Sequence, residues 1–453
     1  MSYEGEFAKY RSVQRLVNNP HVTELQKRCK IAPAAESGEL PLDQRCLIDS
    51  ASLGEDGPRP ELVVAIDGSH VEVPVRNGFP GAEVSYVTCA AVILDMKRLR
   101  HADENRPIDP LEFKKTENAG CIDAALPSTN MIKDGCGNAS ESFREAFFDL
   151  LGRKDFTLGE TTLKDTYQAI MGSPPQGRIK CPSQSETGCD QFYRYAPEVS
   201  KCPCLLETKL FSTDWLRVHE GFGPANNGAV FGEVIQVIER LMIVHFLRYL
   251  ESTRQLSVLA RCGLMVDGPL AMFGHPAELK DKIEAEIRRI NAAAAGFTRG
   301  LDILVLGIEK TGAFVDHFTQ LDMNRSGSAG RIPRGTAILL DDAYIKKHIV
   351  PSDSKKQYGR DTYFGRKFFY KTKRGHLVVA NLPFLADAHK NLKTALPSQF
   401  PRLATATRLL DEVSSSRYPN AMMPLVSAHA EAAIPLNLGV KVLKQLAQQN
   451  IQQ

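Results

Sequence analysis

Two apolar segments of the chain each end in an Asp-Gly pair, and this repeated pattern constrains the fold more than any other feature. The segments are VVAIDGS, which contains Asp67, and LMVDGP, which contains Asp267. Each apolar run is short and bounded by turn residues, as in a strand buried within a sheet. A long apolar helix at about residues 229–251 separates them, and further strands and helices follow. Strands that alternate with helices predict an α/β fold, a mixed sheet flanked by helices.

The first strands should lie close together near the start of this sheet. We expect a buried strand at 62–66, a turn at Asp67-Gly68, a second strand through 71–75 and a third at 85–96. The later patterns predict strands at 262–270, 301–310 and 376–384, and an amphipathic helix at 276–294.

Length and composition indicate one heavily inserted fold or two to three domains. The chain has 453 residues, of which 43% are apolar and 24% charged, so it can bury a sizeable core. Periodicity is lost from about residue 100 to 228, where Gly, Pro, Asn and Cys are frequent. We divide the chain into an N-terminal segment (1–60), a first core part (61–98), an insertion (99–228), a second core part (229–440) and a C-terminal tail (441–453).

Charge and hydropathy exclude some classes of protein. The 56 basic and 53 acidic residues nearly cancel, so the global charge identifies no partner. No run of about 18 apolar residues occurs, and the N-terminal residues carry charge throughout. We therefore expect a cytoplasmic protein without membrane contact.

The aspartates at the two strand ends are candidate metal ligands. At a strand end in an α/β sheet, side chains leave the core and face a crevice. Carboxylate oxygens suit Mg²⁺ or Mn²⁺, so Asp67 and Asp267 on neighbouring strands predict a shared divalent cation. The alternative is that each aspartate caps a turn, because Asp-Gly is a favoured turn dipeptide.

The helix between the strands adds a third carboxylate. On a wheel of 100° per residue, Glu239 lies on the apolar side of the helix, which should pack against the sheet. The polar face instead carries Glu233, Gln236, Arg240, Arg248 and Glu251. An inward carboxylate is costly unless it is paired. Glu239 therefore either shares the cation with the two aspartates or forms a buried salt bridge to an Arg or Lys.

Together, Asp67, Glu239 and Asp267 form a strand–helix–strand set of carboxylates, as in ribonuclease H-like nucleases. The order of motifs resembles the NurA family of nucleases, which act with a HerA-type hexameric ATPase on DNA ends. The resemblance covers roughly 61–96 and 205–440, and 97–204 is longer than the family pattern requires. It rests on AIDGSH (65–70), STDWLRVHE (212–220), VIERLM (237–242), MVDGPLAMFG (265–274), LGIEKTG (306–312), YFGRKFFYK (363–371) and AHAEA (428–432).

This resemblance implies a ribonuclease H-like fold and a divalent-metal-dependent deoxyribonuclease of the 5′–3′ exonuclease and single-strand endonuclease type. Mn²⁺ or Mg²⁺ would be held by Asp67, Glu239 and Asp267, with His429 as a fourth catalytic group. For Glu239 the alternatives are Glu220, Glu233 and Glu251, and His429 read alone is equally a surface histidine. The family further implies a homodimer docked on a HerA-type ATPase, in DNA end processing or anti-phage defence.

Two basic features are candidates for contact with the substrate. Lys310 ends an apolar strand, where its ammonium either belongs to a solvated turn or lies near the scissile phosphate. The segment 352–376 carries eight Lys or Arg against two Asp, with six interleaved aromatics. Basic groups follow phosphates and aromatic faces stack on unpaired bases, which predicts DNA contacts by Arg366 and Lys367. The alternative is a core strand with inward aromatics and solvated lysines.

Four of the ten cysteines lie within 24 residues of one another, in the insertion: Cys181, Cys189, Cys202 and Cys204. Their spacing, C-x7-C-x12-C-x-C, departs from the paired C-x2-C pattern of many zinc sites. Four thiols this close still favour a structural Zn²⁺ over free or redox-active cysteines. Such a site would stabilise the insertion and leave no open catalytic position.

Other classes of function remain as rivals to a nuclease. A degenerate nuclease fold could serve as a non-catalytic adaptor that binds DNA or the ATPase. A metal-dependent phosphoesterase acting on nucleotides is a third interpretation.

Overall fold

The computed structural model describes residues 11–29 and 47–451, with gaps at 77–80, 102–116, 155, 173–177, 185–187, 205, 225, 324–329, 416–417, 419 and 436–437. The chain divides into two compact units, residues 1–42 and 43–453. The described part of the first unit contains two short helices, α1 (Arg11–Val17) and α2 (Pro20–Arg28). The Asn19 side chain caps α2 by accepting the backbone N–H of His21, as N-terminal cap residues do.

A mixed sheet of nine described strands forms the centre of the second unit. Its strands are β1 (Leu47–Asp49), β2 (Leu62–Arg76), β3 (Ala82–Asp95), β4 (Glu117–Pro127), β9 (Cys262–Asp267), β10 (Leu304–Glu309), β11 (Thr336–Leu339), β12 (Gly365–Lys371) and β13 (Leu377–Pro383). Two hairpins of two-residue strands lie outside it: β5 (Ile179–Lys180) with β6 (Phe192–Tyr193), and β7 (Ser200–Lys201) with β8 (Lys209–Leu210).

The order across the sheet is β1-β11-β12-β13-β10-β9-β2-β3-β4. The central strands β2, β9 and β10 run parallel, and the remaining pairs are antiparallel. Parallel strands are normally covered on both faces, which explains the continuous apolar runs that predicted them. The prediction of a mixed α/β sheet is confirmed.

Helices cover both faces of the sheet, as predicted. The helices of this unit are α3 (Met96–His101), α4 (Ala139–Leu151), α5 (Leu163–Ile170), α6 (Gly228–Ser252), α7 (Leu279–Ala294), α8 (Ala313–Asp322), α9 (Asp342–His348), α10 (Leu403–Val413), α11 (Met423–Ala432) and α12 (Leu438–Asn450). Side chains alternate along β2, so Val64 and Ile66 pack with α4 to α7, whereas Val63 and Ala65 pack with α10 and α11.

The strand β2 corrects one prediction about local structure. Asp67-Gly68 is not a turn, because β2 continues through both residues as a single strand. The antiparallel partner β3 pairs with β2 from Leu62 through Pro74 without interruption and satisfies its backbone groups on one edge. The parallel partner β9 pairs only as far as Ile66 and Val266. Asp67 therefore lies within β2, at the point where one neighbouring strand ends.

The sheet also extends beyond the two predicted core parts. The strand β4 pairs with β3 although its residues fall within the stretch assigned to the insertion. The edge strand β1 comes from the N-terminal segment and pairs with β11. Helix α12, in the C-terminal tail, buries Ala447 against Val73 and Val75 of β2. These elements lack the long apolar runs that mark the central strands, so the sequence pattern did not reveal them.

A buried ion pair ties the insertion together. Arg144 on α4 and Asp214 are 3% and 1% exposed, and their side chains are joined by hydrogen bonds of 2.8 and 2.6 Å. Asp214 also accepts the backbone N–H of Phe211 at 2.8 Å. Removing either partner would leave an uncompensated buried charge, which typically costs about 3–5 kcal/mol.

Within the described part of the chain, no helix combines the length and the apolar character needed to cross a bilayer.

Candidate active site

An open cleft lies where the parallel pairing of β2 and β9 ends. Asp67 follows Ile66, the last residue of β2 paired with β9, and Asp267 is the last residue of β9. Because side chains leave the core at such a point, both carboxylates face the cleft. The cleft has a volume of about 410 Å³ and is lined by Asp67, Gly68, Glu239, Asp267, Gly268, Pro269, Glu309, Lys310 and Thr311.

Asp67 is the more deeply buried of the two aspartates. It contacts a histidine from a distant part of the chain. Its Oδ1 atom accepts the backbone N–H of Gly68 at 2.9 Å. Its Oδ2 atom lies 3.0 Å from Nδ1 of His429, on α11, whose side chain is 59% exposed. Burial, followed by the charge of Asp267, raises the pKa of Asp67 to about 6, against the opposing effect of nearby cations. The structure thus joins two of the predicted site residues.

Lys310 connects the two aspartates. Its Nζ atom lies 3.0 Å from Oδ2 of Asp267 and 3.9 Å from Oδ2 of Asp67. One positive charge therefore lies between two carboxylates whose mutual repulsion contributes to the raised pKa of Asp67. Hard divalent cations favour such oxygen donors, so this pair of residues suits Mg²⁺ or Mn²⁺.

Glu239 approaches the cleft from the other face of the sheet. It lies on α6, and Gly68 permits this approach, since a Cβ added at Gly68 would lie 3.3 Å from Oε1 of Glu239. The side chain is buried, and Oε2 lies 3.0 Å from Nη1 of Arg240. Burial raises the pKa of Glu239 to about 8, with further contributions from Asp67 and Asp267 and an opposing one from Arg240.

Arg240 corrects the helix-wheel assignment. We predicted it on the polar face of the helix, yet it is 3% exposed. Its guanidinium also donates to the carbonyl oxygens of Asp267 and Pro269, at 3.1 and 2.9 Å. These two carbonyl oxygens and the Glu239 carboxylate compensate the buried charge of Arg240. The salt bridge that the sequence left open as an alternative for Glu239 is therefore present.

The three carboxylates line one cleft but are not gathered as tightly as metal ligands. Among the described residues, the four cysteines form a group of His, Cys, Asp or Glu side chains close enough together to hold one ion, and the three carboxylates do not. Asp67 and Asp267 share Lys310, whereas Glu239 is held by Arg240. That Asp67, Glu239 and Asp267 bind a common ion stays a prediction.

The alternatives to Glu239 form ion pairs outside the group of residues that lines the cleft. Glu220 pairs with Arg217, Glu233 contacts His275, and Glu251 pairs with Arg289. These contacts leave Glu239 as the glutamate of α6 that faces the cleft.

The predicted DNA-binding pair, Arg366 and Lys367, is corrected by the structure. The two side chains are 2% and 5% exposed, because β12 lies between β11 and β13 inside the sheet. Arg366 donates to the carbonyl oxygen of Asn391 at 3.0 Å and to that of Thr394. Lys367 Nζ lies 2.7 Å from Glu309 Oε1. The basic and aromatic residues of this strand therefore belong to the core and do not form a surface for DNA.

Sequence reasoning missed Glu309 as a residue that lines the cleft. Its carboxylate is held by Lys367 and by the Asn381 side chain, which donates to it at 2.9 Å. The Lys367 ammonium also lies 3.6 Å from the ring centroid of Phe314, a cation–π contact. The signal was present, because Glu309 ends an apolar strand in the same way as Asp267.

The four cysteines of the insertion come together in space despite their unusual spacing. Their sulfur atoms all lie within 4.8 Å of one another, and those of Cys189 and Cys202 are 3.8 Å apart. Four sulfurs bound to Zn²⁺ at about 2.3 Å in a tetrahedron would be about 3.8 Å apart. The donor set therefore fits a structural metal ion such as zinc.

Two small hairpins, β5–β6 and β7–β8, bring the four cysteines together despite their unusual spacing in the sequence. Cys181 follows β5, and its N–H donates to the carbonyl of Gln191 at 2.9 Å; Cys202 follows β7 and bonds Thr208 in the same way at 2.9 Å. Hydrogen bonds from Thr208 lower the pKa of Cys204 to about 6, which favours its thiolate form, the form that binds metals. Each hairpin thus contributes two thiols to one point.

Comparisons with known proteins leave the family of this chain open. No protein-family model matches the chain, and no curated protein matches it. A search of solved structures matches it to the crystal structure of the NurA nuclease from Sulfolobus solfataricus, over 98% of this chain and 99% of that chain. The sequence identity is 10% and the TM-score is 0.30. A likeness of this degree carries no argument about activity, which is inferred below from the site itself.

Proposed function

We propose that this chain is a divalent-metal-dependent deoxyribonuclease that hydrolyses phosphodiester bonds. The observation that carries the proposal is the pair of aspartates on adjacent parallel strands, Asp67 and Asp267, with Lys310 between them. His429 contacts one aspartate, and Glu239 lines the cleft from the opposite face of the sheet. Carboxylates can hold the metal ions of phosphodiester hydrolysis, and an ammonium and an imidazole beside them suit a phosphate contact and a proton transfer.

The residues divide the chemistry between them. Asp67, Asp267 and Glu239 would hold Mn²⁺ or Mg²⁺, and a bound divalent ion supplies water activation and stabilises charge on the leaving oxygen. Lys310, as a point charge, positions the scissile phosphate. In the tautomer that carries its hydrogen on Nδ1, His429 would donate to Asp67, and its Nε2 would then accept the proton of the attacking water.

An adaptor without catalytic activity is the rival function, and one observation favours it. The carboxylates already have protein cations as partners: Arg240 for Glu239 and Lys310 for Asp267. A site neutralised in this way is stable without metal, as a degenerate nuclease fold that only binds DNA would require.

A cleavage assay with end-labelled linear and single-stranded DNA separates the two functions. The full chain is incubated with Mn²⁺ or Mg²⁺, as wild type and as Asp67→Asn and Asp267→Asn. The nuclease proposal expects each variant to lose at least about 100-fold in rate, since neither amide holds a divalent cation well. Asp123→Asn, an exposed change on β4, is the matched control. Undiminished cleavage by both variants overturns the proposal, and DNA binding without any metal-dependent cleavage by wild type supports the adaptor.

The finer proposals rest on the resemblance of the sequence motifs. We propose 5′–3′ exonuclease and single-strand endonuclease activities in the cytoplasm, and a homodimer that docks on a HerA-type hexameric ATPase in DNA end processing or anti-phage defence. Co-purification with such an ATPase, followed by measurement of the mass of the complex in solution, tests the partner and the dimer. Digestion of 5′- and 3′-labelled strands tests the polarity.

We also propose that the four-cysteine site holds Zn²⁺. The support is the separation of the thiols, which matches a tetrahedral site, and the burial of three of the four cysteines in the insertion.

A further inference from the structure

The loop that follows Asp267 carries an exposed aromatic side chain close to the cleft. Phe273 is 38% exposed, and its ring packs edge-on against Tyr363 with centroids 5.6 Å apart and an interplanar angle of 84°. Phe273 is six residues after Asp267 and therefore lies at most about 20 Å from it, the length of about six stacked nucleotides. Exposure of a single phenylalanine is ordinary. The surroundings of Phe273 are what make it informative.

Helix α6, which also carries Glu239, holds this loop in place. The Gln236 side chain accepts the backbone N–H of Phe273 at 2.5 Å, and Glu233 accepts that of His275 at 3.2 Å. Gly274 has φ of +74°, and a Cβ there would lie 2.0 Å from Oε1 of Glu233. The loop therefore packs against polar groups of the helix, and the aromatic ring is presented in a fixed position relative to the cleft.

A basic segment is attached to the same loop. The backbone N–H of Met272 donates to the carbonyl of Thr362 at 2.9 Å. Shortly before Thr362 the chain carries three exposed cationic side chains, Lys355, Lys356 and Arg360, against two exposed aspartates, Asp353 and Asp361. Lys356 pairs with Asp361 at 3.1 Å, and both side chains are largely exposed, so a phosphate can replace that aspartate. Lys373 and Arg374, which follow β12, are exposed as well, whereas the basic residues within β12 are buried. The cationic side chains and the exposed aromatic ring thus belong to two segments that a backbone hydrogen bond joins.

This combination points to one class of ligand. Single-stranded nucleic acid is bound by aromatic faces that stack on bases and by Lys or Arg groups that follow the phosphates. A duplex shields its base faces and cannot use such a ring. The carboxylates of the cleft repel phosphates, so cationic groups beside it are needed to retain a strand.

We propose that Phe273 stacks on a base of single-stranded DNA while Lys355, Lys356 and Arg360 contact its phosphates, next to the cleft. This inference deepens the proposed function, on which it rests, by assigning the residues that select an unpaired strand. It replaces the predicted contacts of the buried pair Arg366 and Lys367.

The test measures binding of labelled oligonucleotides to the full chain in EDTA, so that cleavage does not interfere. Two probes of equal length are compared, one with bases and one made entirely of abasic sites. Phe273→Ala is expected to weaken binding of the base-containing strand by roughly 5- to 100-fold, the range for loss of one stacked base. Phe273→Trp should bind like wild type. Phe297→Ala removes a phenylalanine that is 62% exposed elsewhere and serves as the control.

The phosphate contacts have a separate readout. Replacing Lys355, Lys356 and Arg360 by Gln should reduce the slope of log affinity against log salt by about 2 for either probe, since three phosphate contacts are lost. Equal binding of the base-containing strand by wild type and Phe273→Ala overturns the proposal. So does an equal loss with the abasic probe, because stacking requires bases. If the strand binds as expected while wild type never cleaves DNA, the nuclease proposal fails and the strand-binding site stands.

Discussion

The Nζ atom of Lys310 lies 3.0 Å from the Oδ2 atom of Asp267, and this contact places a protein cation where two aspartates face each other. Asp67 Oδ2 is 3.9 Å from the same ammonium. Without Lys310 or a bound cation, the two carboxylates would repel each other across the cleft. Lys310 therefore supplies positive charge between the two aspartates, and a divalent ion would compete with it or add to it.

Lys310→Met should make the protein more dependent on metal for its stability. In EDTA, we expect a loss of about 1 kcal/mol, kept small because the lysine is one-third exposed and water screens the pair. Added Mn²⁺ should then raise the melting temperature of the variant more than that of wild type. Lys201→Met, which removes an exposed pair with Glu207, is the control. An identical response of variant and wild type to Mn²⁺ would contradict a cation site between the aspartates.

His429→Ala should reduce cleavage without reducing stability. The imidazole is 59% exposed, so its removal leaves no cavity, but it removes the proposed proton acceptor beside Asp67. We expect the rate to fall about 10²- to 10⁴-fold, the usual contribution of a general base, with unchanged DNA binding. Glu431→Gln changes an exposed residue on the same helix and should have little effect on rate. A variant that cleaves at the wild-type rate removes His429 from the mechanism.

The four-cysteine cluster should contain one zinc ion per chain. Metal analysis of purified protein is expected to give one zinc equivalent, which Cys202→Ser should lose because Cys202 is 2% exposed and central to the cluster. Cys29→Ser, at an exposed position in the first unit, should keep it. Structural zinc sites supply on the order of 10 kcal/mol to folding, so the variant should unfold at lower denaturant concentration. Zinc-free wild-type protein of unchanged stability would contradict the prediction.

The central strands and the long helix were predictable because each has a pattern that does not depend on its neighbours. The strands β9 and β10 are continuous apolar runs bounded by turn residues. Helix α6 spans Gly228–Ser252, close to the predicted 229–251. The inward position of Glu239 also followed from the helical period, and the structure buries it. These features are local, so the sequence alone was sufficient.

What the sequence could not supply depends on partners distant in the chain. Asp-Gly is a favoured turn, but at Asp67 the pairing with β3 keeps the strand straight. Arg366 and Lys367 have the composition of a surface strand, yet β12 is covered on both sides and buries them. A charged side chain can be buried when its charge is compensated, here by backbone carbonyl groups for Arg366 and by Glu309 for Lys367, so the charge of a residue does not predict its exposure. Both errors come from tertiary contacts that override local preference.

Acid should destabilise the protein partly through a buried histidine. His245 on α6 is 1% exposed, and burial lowers its pKa to about 4, below the ordinary 6.5. Between pH 6.5 and pH 4 the unfolded chain binds a proton at His245 that the folded chain does not. The free energy of unfolding therefore falls as the pH is lowered from 6.5 toward 4, and no such loss occurs above pH 6.5. A difference of about 2.5 pH units corresponds to roughly 3 kcal/mol.

His245→Gln should therefore flatten the change in the free energy of unfolding between pH 6.5 and pH 4, measured by denaturant titration at each pH. His21→Gln changes an exposed histidine of α2 and should leave the slope nearly unchanged. The same steep acid dependence in His245→Gln as in wild type would rule out His245 as its source.

Gly68→Ala tests whether the close approach of Glu239 to β2 matters for both stability and cleavage. A Cβ at this position would lie 2.7 Å from Sγ of Cys89, 2.7 Å from Cγ2 of Ile235 and 3.3 Å from Oε1 of Glu239. The first two contacts require buried side chains to move, which typically costs about 1–3 kcal/mol. Since Ile235 and Glu239 lie one turn apart on α6, that movement also displaces the carboxylate. We expect at least a tenfold loss of cleavage.

Gly120→Ala on β4 is the matched control for this change, because a Cβ there meets Phe156 at an ordinary 3.5 Å. It should be nearly neutral in denaturant unfolding and in cleavage. Combining Gly68→Ala with Cys89→Ala removes one of the two tight contacts, so the double variant should regain part of the stability beyond simple additivity. If Gly68→Ala unfolds like Gly120→Ala and cleaves like wild type, the helix is not held against the strand at Gly68, and the position of Glu239 in the cleft loses its structural basis.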